Sequence, residues 1–432
     1  MTAASVAGDA VPRAWVVCSG EPLPIDPGTP RLLRAGLLCR HLEAAGWEVD
    51  FWTASFDHTR KSHRYPDREV RTVPVAPRFR IHLLPSRGYR RNVSVERILD
   101  HRDAARAFAE AAPLHPRPDV IVASMPTIDL AHAASRFAQE RRIPSIVDLR
   151  DLWPEIFYLG RPAPLRWLVQ ALSAPWSRLL DETLRRADAV VGITDAFVEW
   201  GLVRAGRQRR PGVDVGLPLG YPAPGPETAE EERERSRLVD AGVLRPDLFQ
   251  VAFLGTLSTR TDMDTLCLGA RMAARNGTPV HLVVAGTGEE SARLVKTYGS
   301  DRIRFLGWVG QATLRAVLAT SKAGIVPYRN TLDFRMSIPN KAIEYLSAGL
   351  PVMTSLEGTL RDLVEGNRVG LTYREGDPAS LASALGTIAG NETARCAMSR
   401  EARRVFQERF SLDVVFATYQ RLIERLASAR RA

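Results

Sequence analysis

The segment SIPNKAIEYLSAGLPVMT, Ser337 to Thr354, decides the reading of this chain. Pro339 stands where a first helical turn accepts proline, because the N–H groups of that turn have no intrahelical partner. Lys341 follows two residues later and Glu344 three after that. Residues three apart are neighbours on a helix surface, so both side chains lie near the positive end of the helix dipole. Ser347, Ala348 and Gly349 then end the helix and lead straight into an apolar strand. A helix start of this kind suits an anion, and a carboxylate beside it can accept hydrogen bonds from hydroxyls.

Outward from this segment, apolar strand-like runs alternate with helical patterns, the signature of parallel α/β sheets. In the first half the strands centre near Trp15, Phe51, Leu83, Ile121, Val147 and Val191, with helices expected over Arg31 to Ala45, Val93 to Ala112, Ile128 to Arg141, Leu165 to Arg186 and Ala196 to Ala205. A second set runs through FQVAFLG near Phe253, VHLVVAG, IRFLG, AGIVPY, LPVMTS and VGLTY. Between the sets, GYPAPGPETAEEERERSR from Gly220 to Arg237 opens Pro/Gly-rich and becomes a charge run, the chemistry of a linker and an exposed helix. The expected organisation is a leader over 1–12, a first doubly wound domain over 13–219, a linker over 220–247, a second over 248–410, and a terminal helix from Ser411. That helix carries a Ser N-cap and an apolar stripe through Leu412, Val415, Phe416, Tyr419, Leu422 and Leu426.

With 432 residues, two domains are the natural expectation. Hydrophobic content of 45% and charged content of 25% are those of a globular protein without long apolar runs. Cys18, Cys39, Cys267 and Cys396 are scattered without metal-ligand spacing and read as buried reduced thiols of a cytoplasmic protein. The formal charge of +10 is uneven: ten Lys/Arg lie between Arg60 and Arg91, against Asp67 and Glu69. Either this is a solvated loop, or it faces an anionic membrane or a phosphate-bearing acceptor. No binding motif accompanies it, which argues against nucleic acid.

Five stretches of the second half occur in an order that resembles the retaining glycosyltransferases of the B-type fold, family four. They are FLGTLSTRTDMDTL (Phe253 to Leu266), AGTGEE (Ala285 to Glu290), RIRFLGWVG (Arg302 to Gly310), the PNKAIEYLSAGLPV segment, and RVGLTYREGDPASLASAL (Arg368 to Leu385). The resemblance implies two Rossmann-like domains facing a cleft, a terminal helix crossing back to the first, and a nucleotide-sugar donor on the second. A sugar nucleotide needs cations for its diphosphate and a carboxylate for its ribose diol. Arg260 and Lys341 are candidates for the diphosphate, each alternatively an exposed surface cation, and Glu344 for the ribose, alternatively a helix ion-pair former. Trp308 and Val309 follow the strand end where the family reads the base through main-chain groups, although Trp308 could equally pack. Two departures stand out. Met336 occupies the place of an earlier glutamate that many relatives use on the donor sugar, and Thr256 stands where many have Arg or Asn after the glycine of the phosphate turn.

The first half resembles a narrower branch, the transferases of bacterial O-antigen and capsule assembly. Its marks are PGTPRLLRAG (Pro27 to Gly36), FWTASFDHTRKSHR (Phe51 to Arg64), YRRNVSVERILDH (Tyr89 to His101), SMPTIDLA (Ser124 to Ala131) and IVDLRDLWPE (Ile146 to Glu155). Gly28 and Thr29 lie in a turn that can bring main-chain amides to the diphosphate, or in an ordinary strand-to-helix turn. IVDLRDLWPE places Asp148, Arg150, Asp151 and Glu155 at the end of an apolar strand. Charges there are costly unless paired or open to a pocket. Either Asp148 and Arg150 are a structural pair, or a carboxylate, Asp151 before Asp148, receives or orients the acceptor hydroxyl. Arg150 replaces a histidine that many relatives hold near the reacting sugar.

The expectation is a metal-independent, retaining transferase with no cofactor beyond its nucleotide-sugar donor. It acts on a glycan or polyprenyl-diphosphate-linked acceptor, in contact with the inner membrane face through residues 60–91. Its rivals are a transferase for a soluble natural-product acceptor, an epimerase or pyridoxal-dependent phosphorylase of the same fold, and a non-catalytic nucleotide-sugar-binding subunit.

Overall fold

The computed structural model describes residues 11–28, 30–66 and 68–429. The chain divides into two compact α/β units. One takes the residues up to Leu217 together with those from Phe416 onward, and the other takes Pro218–Val415. Nearly all of the leader expected over 1–12 lies outside the described residues.

The first unit is built on β1 (Arg13–Val17), β2 (Glu48–Ala54), the short hairpin β3 (Phe56–Asp57) and β4 (Ser62–His63), β5 (Arg71–Ala76), β6 (Phe79–Leu84), β7 (Val120–Ser124), β8 (Ser145–Leu149), β9 (Ala189–Gly192) and β10 (Val215–Gly216). Eight of these form one sheet in the order β10-β9-β8-β7-β1-β2-β6-β5, with β3 and β4 apart. Every pairing in the sheet is parallel except β5 on β6. Strands covered on both faces must be apolar throughout, and β7 and β8 are buried at every residue. On one face Trp15 stacks on Phe137 with centroids 5.4 Å apart, and Trp52 meets Phe108 edge-on at 5.2 Å. The chain's direction of progress reverses beside β1, between β2 and β7, which is where sheets of this kind open a crevice.

The second unit carries β11 (Phe249–Leu254), β12 (Val280–Ala285), β13 (Ile303–Gly307), β14 (Ala323–Val326), β15 (Val352–Thr354) and β16 (Gly370–Thr372). Their order is β13-β12-β11-β14-β15-β16, all parallel, and the reversal falls between β11 and β14. The Rossmann-like arrangement expected for both halves is what the molecule has.

Two details refine the expectation. Residues 220–247 include the helix Ala229–Asp240, which starts in a capping box between Thr228 and Glu231 and belongs to the second unit. Arg315 reaches Glu231 at 3.3 Å and Thr313 donates to Glu234 at 2.7 Å, so the exposed helix within the charge run is anchored on its own unit. Of the four cysteines, Cys396 is exposed and the other three are buried. The terminal helix Leu412–Ser428 rejoins the first unit at Phe416. No helix among the described residues is long and apolar enough to cross a membrane.

Candidate functional site

At the reversal point of the second sheet, β11 turns at Gly255 (φ 140°) and β12 at Gly286 (φ 144°), backbone states that side chains rarely tolerate. A methyl group on Gly286 would sit 1.9 Å from the Gly255 carbonyl oxygen, so the two turns pack main chain on main chain. The Gly255 N–H donates to Ala285 O at 2.9 Å, and the Gly286 N–H to Gly307 O at 2.7 Å. Against this floor lies Lys341, whose Nζ would be 2.6 Å from a Cβ added to Gly255. The ammonium sits over the rings of Phe253 at 4.1 Å and Tyr328 at 4.4 Å. Lys341 is only 6% exposed and its Nζ makes no hydrogen bond within the protein. Burial pushes its pKa down to about 7, with Glu344 pulling the other way. Aromatic faces partly offset the lost hydration of a cation, but they leave its hydrogen-bonding capacity unused.

Lys341 and Glu344 both ride on the helix Asn340–Ser347, whose start has no side-chain cap and no acidic residue in its first turn. The N–H groups of such a turn point outward together with the positive dipole end. Glu344 is also buried, and its Oε1 accepts a hydrogen bond from the Tyr221 hydroxyl. Arg260 is half-exposed, lies over the Phe334 ring at 4.3 Å and forms an ion pair with Asp333. Phe334 in turn stacks on Tyr328 at 4.1 Å, so Arg260 and Lys341 flank one two-ring stack. Thr256 follows Gly255 and is exposed. Met336 ends the short helix Leu332–Met336, and its carbonyl accepts from Thr359 at 3.1 Å. Trp308 and Val309 come two strands away, after β13. Val309 is partly buried against the core, whereas Trp308 is 80% exposed and so does not take the packing role left open for it.

In the first unit the equivalent reversal point is filled by charge. Asp148, at the end of β8 and 1% exposed, accepts from Arg34 Nε at 2.9 Å and Arg150 Nε at 3.2 Å. Arg150 also pairs with Glu21 and donates to Ser124 Oγ at 2.9 Å. Burial works against the Arg150 guanidinium, but the charges of Glu21 and Asp148 hold its pKa well above the ordinary arginine value. Glu21 also accepts from the N–H groups of Ala35 at 3.1 Å and Gly36 at 3.4 Å, which occupies the start of the helix Arg34–Ala44. Asp148 and Arg150 are therefore held with Glu21 and Arg34 in a four-membered buried network. Asp151, one residue beyond, is exposed. Gly28 is exposed with φ 87°, and Thr29 lies outside the described residues. Glu155 pairs with Arg204.

The basic stretch is largely engaged by its own unit. Arg64 forks onto Asp26 at 2.6 and 2.9 Å, Arg80 reaches Glu48 at 2.9 Å, and Arg87 reaches Asp103 at 2.6 Å. Arg60 donates to the Pro27 carbonyl at 3.1 Å, and Arg68, Arg90 and Arg91 are exposed. Among the described residues no three His, Cys, Asp or Glu side chains gather as a metal site. Sequence reasoning missed the aromatic box of Phe253, Tyr328 and Phe334, the Tyr221 hydroxyl, and the roles of Glu21 and Arg34. Only Phe253 carried a local signal, standing directly before the Leu-Gly turn.

Residues 33–213 match the glycosyl transferase 4-like domain, and residues 249–391 match the domain of glycosyl transferases group 1. The chain thus carries a glycosyl transferase 4-like domain followed by a glycosyl transferases group 1 domain. It is 22% identical over 183 residues to the amylovoran biosynthesis glycosyltransferase AmsK of Erwinia amylovora, covering 41% of this chain and 45% of that protein. The chain spans less than half the length of the curated relatives it matches. Among solved structures, the sucrose-phosphate synthase of Thermosynechococcus elongatus aligns with a TM-score of 0.69 at 19% identity, over 97% of this chain and 100% of that one. The Anabaena protein HepE in complex with UDP aligns at 0.60 and 16% identity, again over 97% and 100%. Both share the two-domain B-type fold.

Proposed function

We propose that this enzyme moves a sugar from a nucleotide-sugar donor, held by the second unit, to an acceptor hydroxyl served by the first. The observation that carries the reading is Lys341, a buried cation without a hydrogen bond at the uncapped start of a helix, three residues from the buried Glu344. A nucleoside diphosphate uses all three features. Its diphosphate meets Lys341, Arg260 and the amides of the helix start and of the turn at Thr256, and its ribose diol donates to Glu344. Trp308 and Val309 flank the base. Retention and independence of metal follow the family resemblance, with Lys341 and the helix start offsetting the charge that develops on the leaving diphosphate. Asp151, exposed beyond the buried network, is the carboxylate that orients the acceptor hydroxyl. The UDP bound by HepE and the role of AmsK in amylovoran biosynthesis support a nucleoside diphosphate leaving group and a cell-surface polysaccharide. The acceptor is then carried on a polyprenyl diphosphate at the inner membrane face, close to the exposed arginines of 60–91.

Calorimetry of Glu344→Ala tests the donor assignment. Loss of hydrogen bonds to a charged group costs about 1.5–3 kcal/mol, roughly 10- to 100-fold in nucleotide affinity. Unchanged affinity in a variant that remains folded would remove Glu344 from the site and sink the reading.

A further inference from the structure

Away from the charged network, the first unit contains a cavity of ≈ 410 Å³ between the start of the helix Val95–Ala111 and the helix Ala163–Arg186. Ile98, Trp153, Phe157, Val169, Leu172 and Trp176 supply apolar and aromatic wall. The apolar surface continues outside it. Val93, Val95 and Leu172 at the mouth are 74%, 70% and 65% exposed, and Leu165, Trp167 and Leu168 stand in solvent on the first turns of the second helix. Exposed apolar side chains gathered at a cavity and on the neighbouring helix turns mark a binding face rather than single residues scattered over a surface.

The mouth is cationic. Arg97 lies over the Trp153 ring at 4.7 Å and the Tyr89 ring at 5.5 Å, and donates to the Asn92 carbonyl at 2.9 Å. Lys61 sits over the same Tyr89 ring at 4.5 Å and bonds the Asn92 side chain, and Arg161 is a further cation of the lining. His101, beside Arg97 in the lining, is uncharged, because burial and the neighbouring guanidinium push its pKa down to about 3. The lining carboxylate, Asp129, accepts from Trp176 Nε1 at 3.2 Å. An apolar chamber under guanidinium and ammonium groups is complementary to an amphiphile with an anionic head. Trp153 lies only two residues beyond Asp151, and the charge of Asp151 reaches Arg97.

We propose that this cavity seats the hydrocarbon chain of the lipid that carries the acceptor, with its phosphate groups at Arg97 and Lys61. The inference rests on the transferase reading above. It adds a site that fixes the acceptor as a phosphate-bearing isoprenoid or acyl lipid rather than a free sugar.

The test titrates the full chain with farnesyl diphosphate and, separately, with inorganic pyrophosphate, read by calorimetry and by the fluorescence of Trp153 and Trp176. Each buried methylene strengthens binding severalfold, so farnesyl diphosphate is expected to bind at least about tenfold more tightly than pyrophosphate. Leu172→Glu, at an exposed position that tolerates the change, should abolish that advantage while leaving UDP affinity unchanged. Arg97→Gln should weaken both anions. Equal affinity for the two anions, or indifference of farnesyl diphosphate to Leu172→Glu, overturns the proposal. So does a wild-type dimer in sedimentation that Leu172→Glu dissociates, since the apolar face would then belong to a second copy. Turnover on a soluble acceptor without farnesyl diphosphate binding sinks the lipid site and leaves the transferase reading standing. The Glu344→Ala titration decides that reading independently.

Discussion

Lys341 sits between two aromatic faces with its Nζ unbonded, and its pKa of about 7 makes it roughly half-charged near neutrality. A bound diphosphate favours the ammonium form, so binding takes up a proton whenever the free enzyme is above that pKa. Nucleoside diphosphate affinity should therefore be highest at and below pH 7 and fall as pH rises, by roughly tenfold between pH 7 and 8.5. Calorimetry across that range, in buffers of different ionisation enthalpy, reads both the affinity and the proton uptake. Lys341→Met should bind weakly at every pH with a flat profile, and a flat wild-type profile would refute the coupling. The sign for stability is the reverse. The folded pKa lies below the ordinary 10.5, so the unfolded chain holds more protons between pH 7 and 10.5, and this lysine's contribution to stability rises through that window. Lys341 and Glu344 were legible because they are close in sequence on one helix. The rings that enclose Lys341 were not, since Phe253 and Tyr328 come from different strand ends and meet only in the folded sheet.

At the scale of elements, the parallel strands announced themselves because burial on both faces demands continuous apolar runs, as in VIVAS and SIVDL. β5 did not. It pairs only with β6, antiparallel, and carries an exposed Arg71 and Pro74, which edge strands tolerate and central ones do not. The helix Ala229–Asp240 was half-legible, because its charge run reads as solvent-exposed while its capping box and its contacts to Thr313 and Arg315 are tertiary facts. The network of Glu21, Arg34, Asp148 and Arg150 ties β8, the turn after β1 and the start of the helix Arg34–Ala44 into one joint. Removing one member of a buried charged network leaves another uncompensated, at a cost of about 3–5 kcal/mol. Arg34→Met is accordingly expected to lower the unfolding free energy by that amount in urea, with UDP affinity in the second unit unchanged. A loss below about 1 kcal/mol would show that Arg150 alone compensates the charge of Asp148.

For the whole molecule, two sheets of the same Rossmann-like kind raise the question of how many nucleotides one chain binds. Each has a reversal point flanked by a strand-to-helix turn, and sheets of this type bind ligands there. The two points differ chemically. In the second unit the helix start is uncapped and Lys341 has no hydrogen bond. In the first, the Glu21 carboxylate already takes the amides of Ala35 and Gly36, and Arg150 is spent on Glu21 and Asp148. An incoming diphosphate would have to displace a buried carboxylate and compete with it for the same donors, so the first point is closed to anions by its own side chain. One nucleotide per chain follows, with hydrogen-exchange protection by UDP confined to residues 249–391 and none over the Ala35 and Gly36 amides. At ligand concentrations one hundred times the Kd, that single site should stabilise the second unit by about 2.7 kcal/mol. A calorimetric stoichiometry of two, or protection appearing at the helix Arg34–Ala44, would mean that Glu21 yields its place and that both sheets bind a nucleotide.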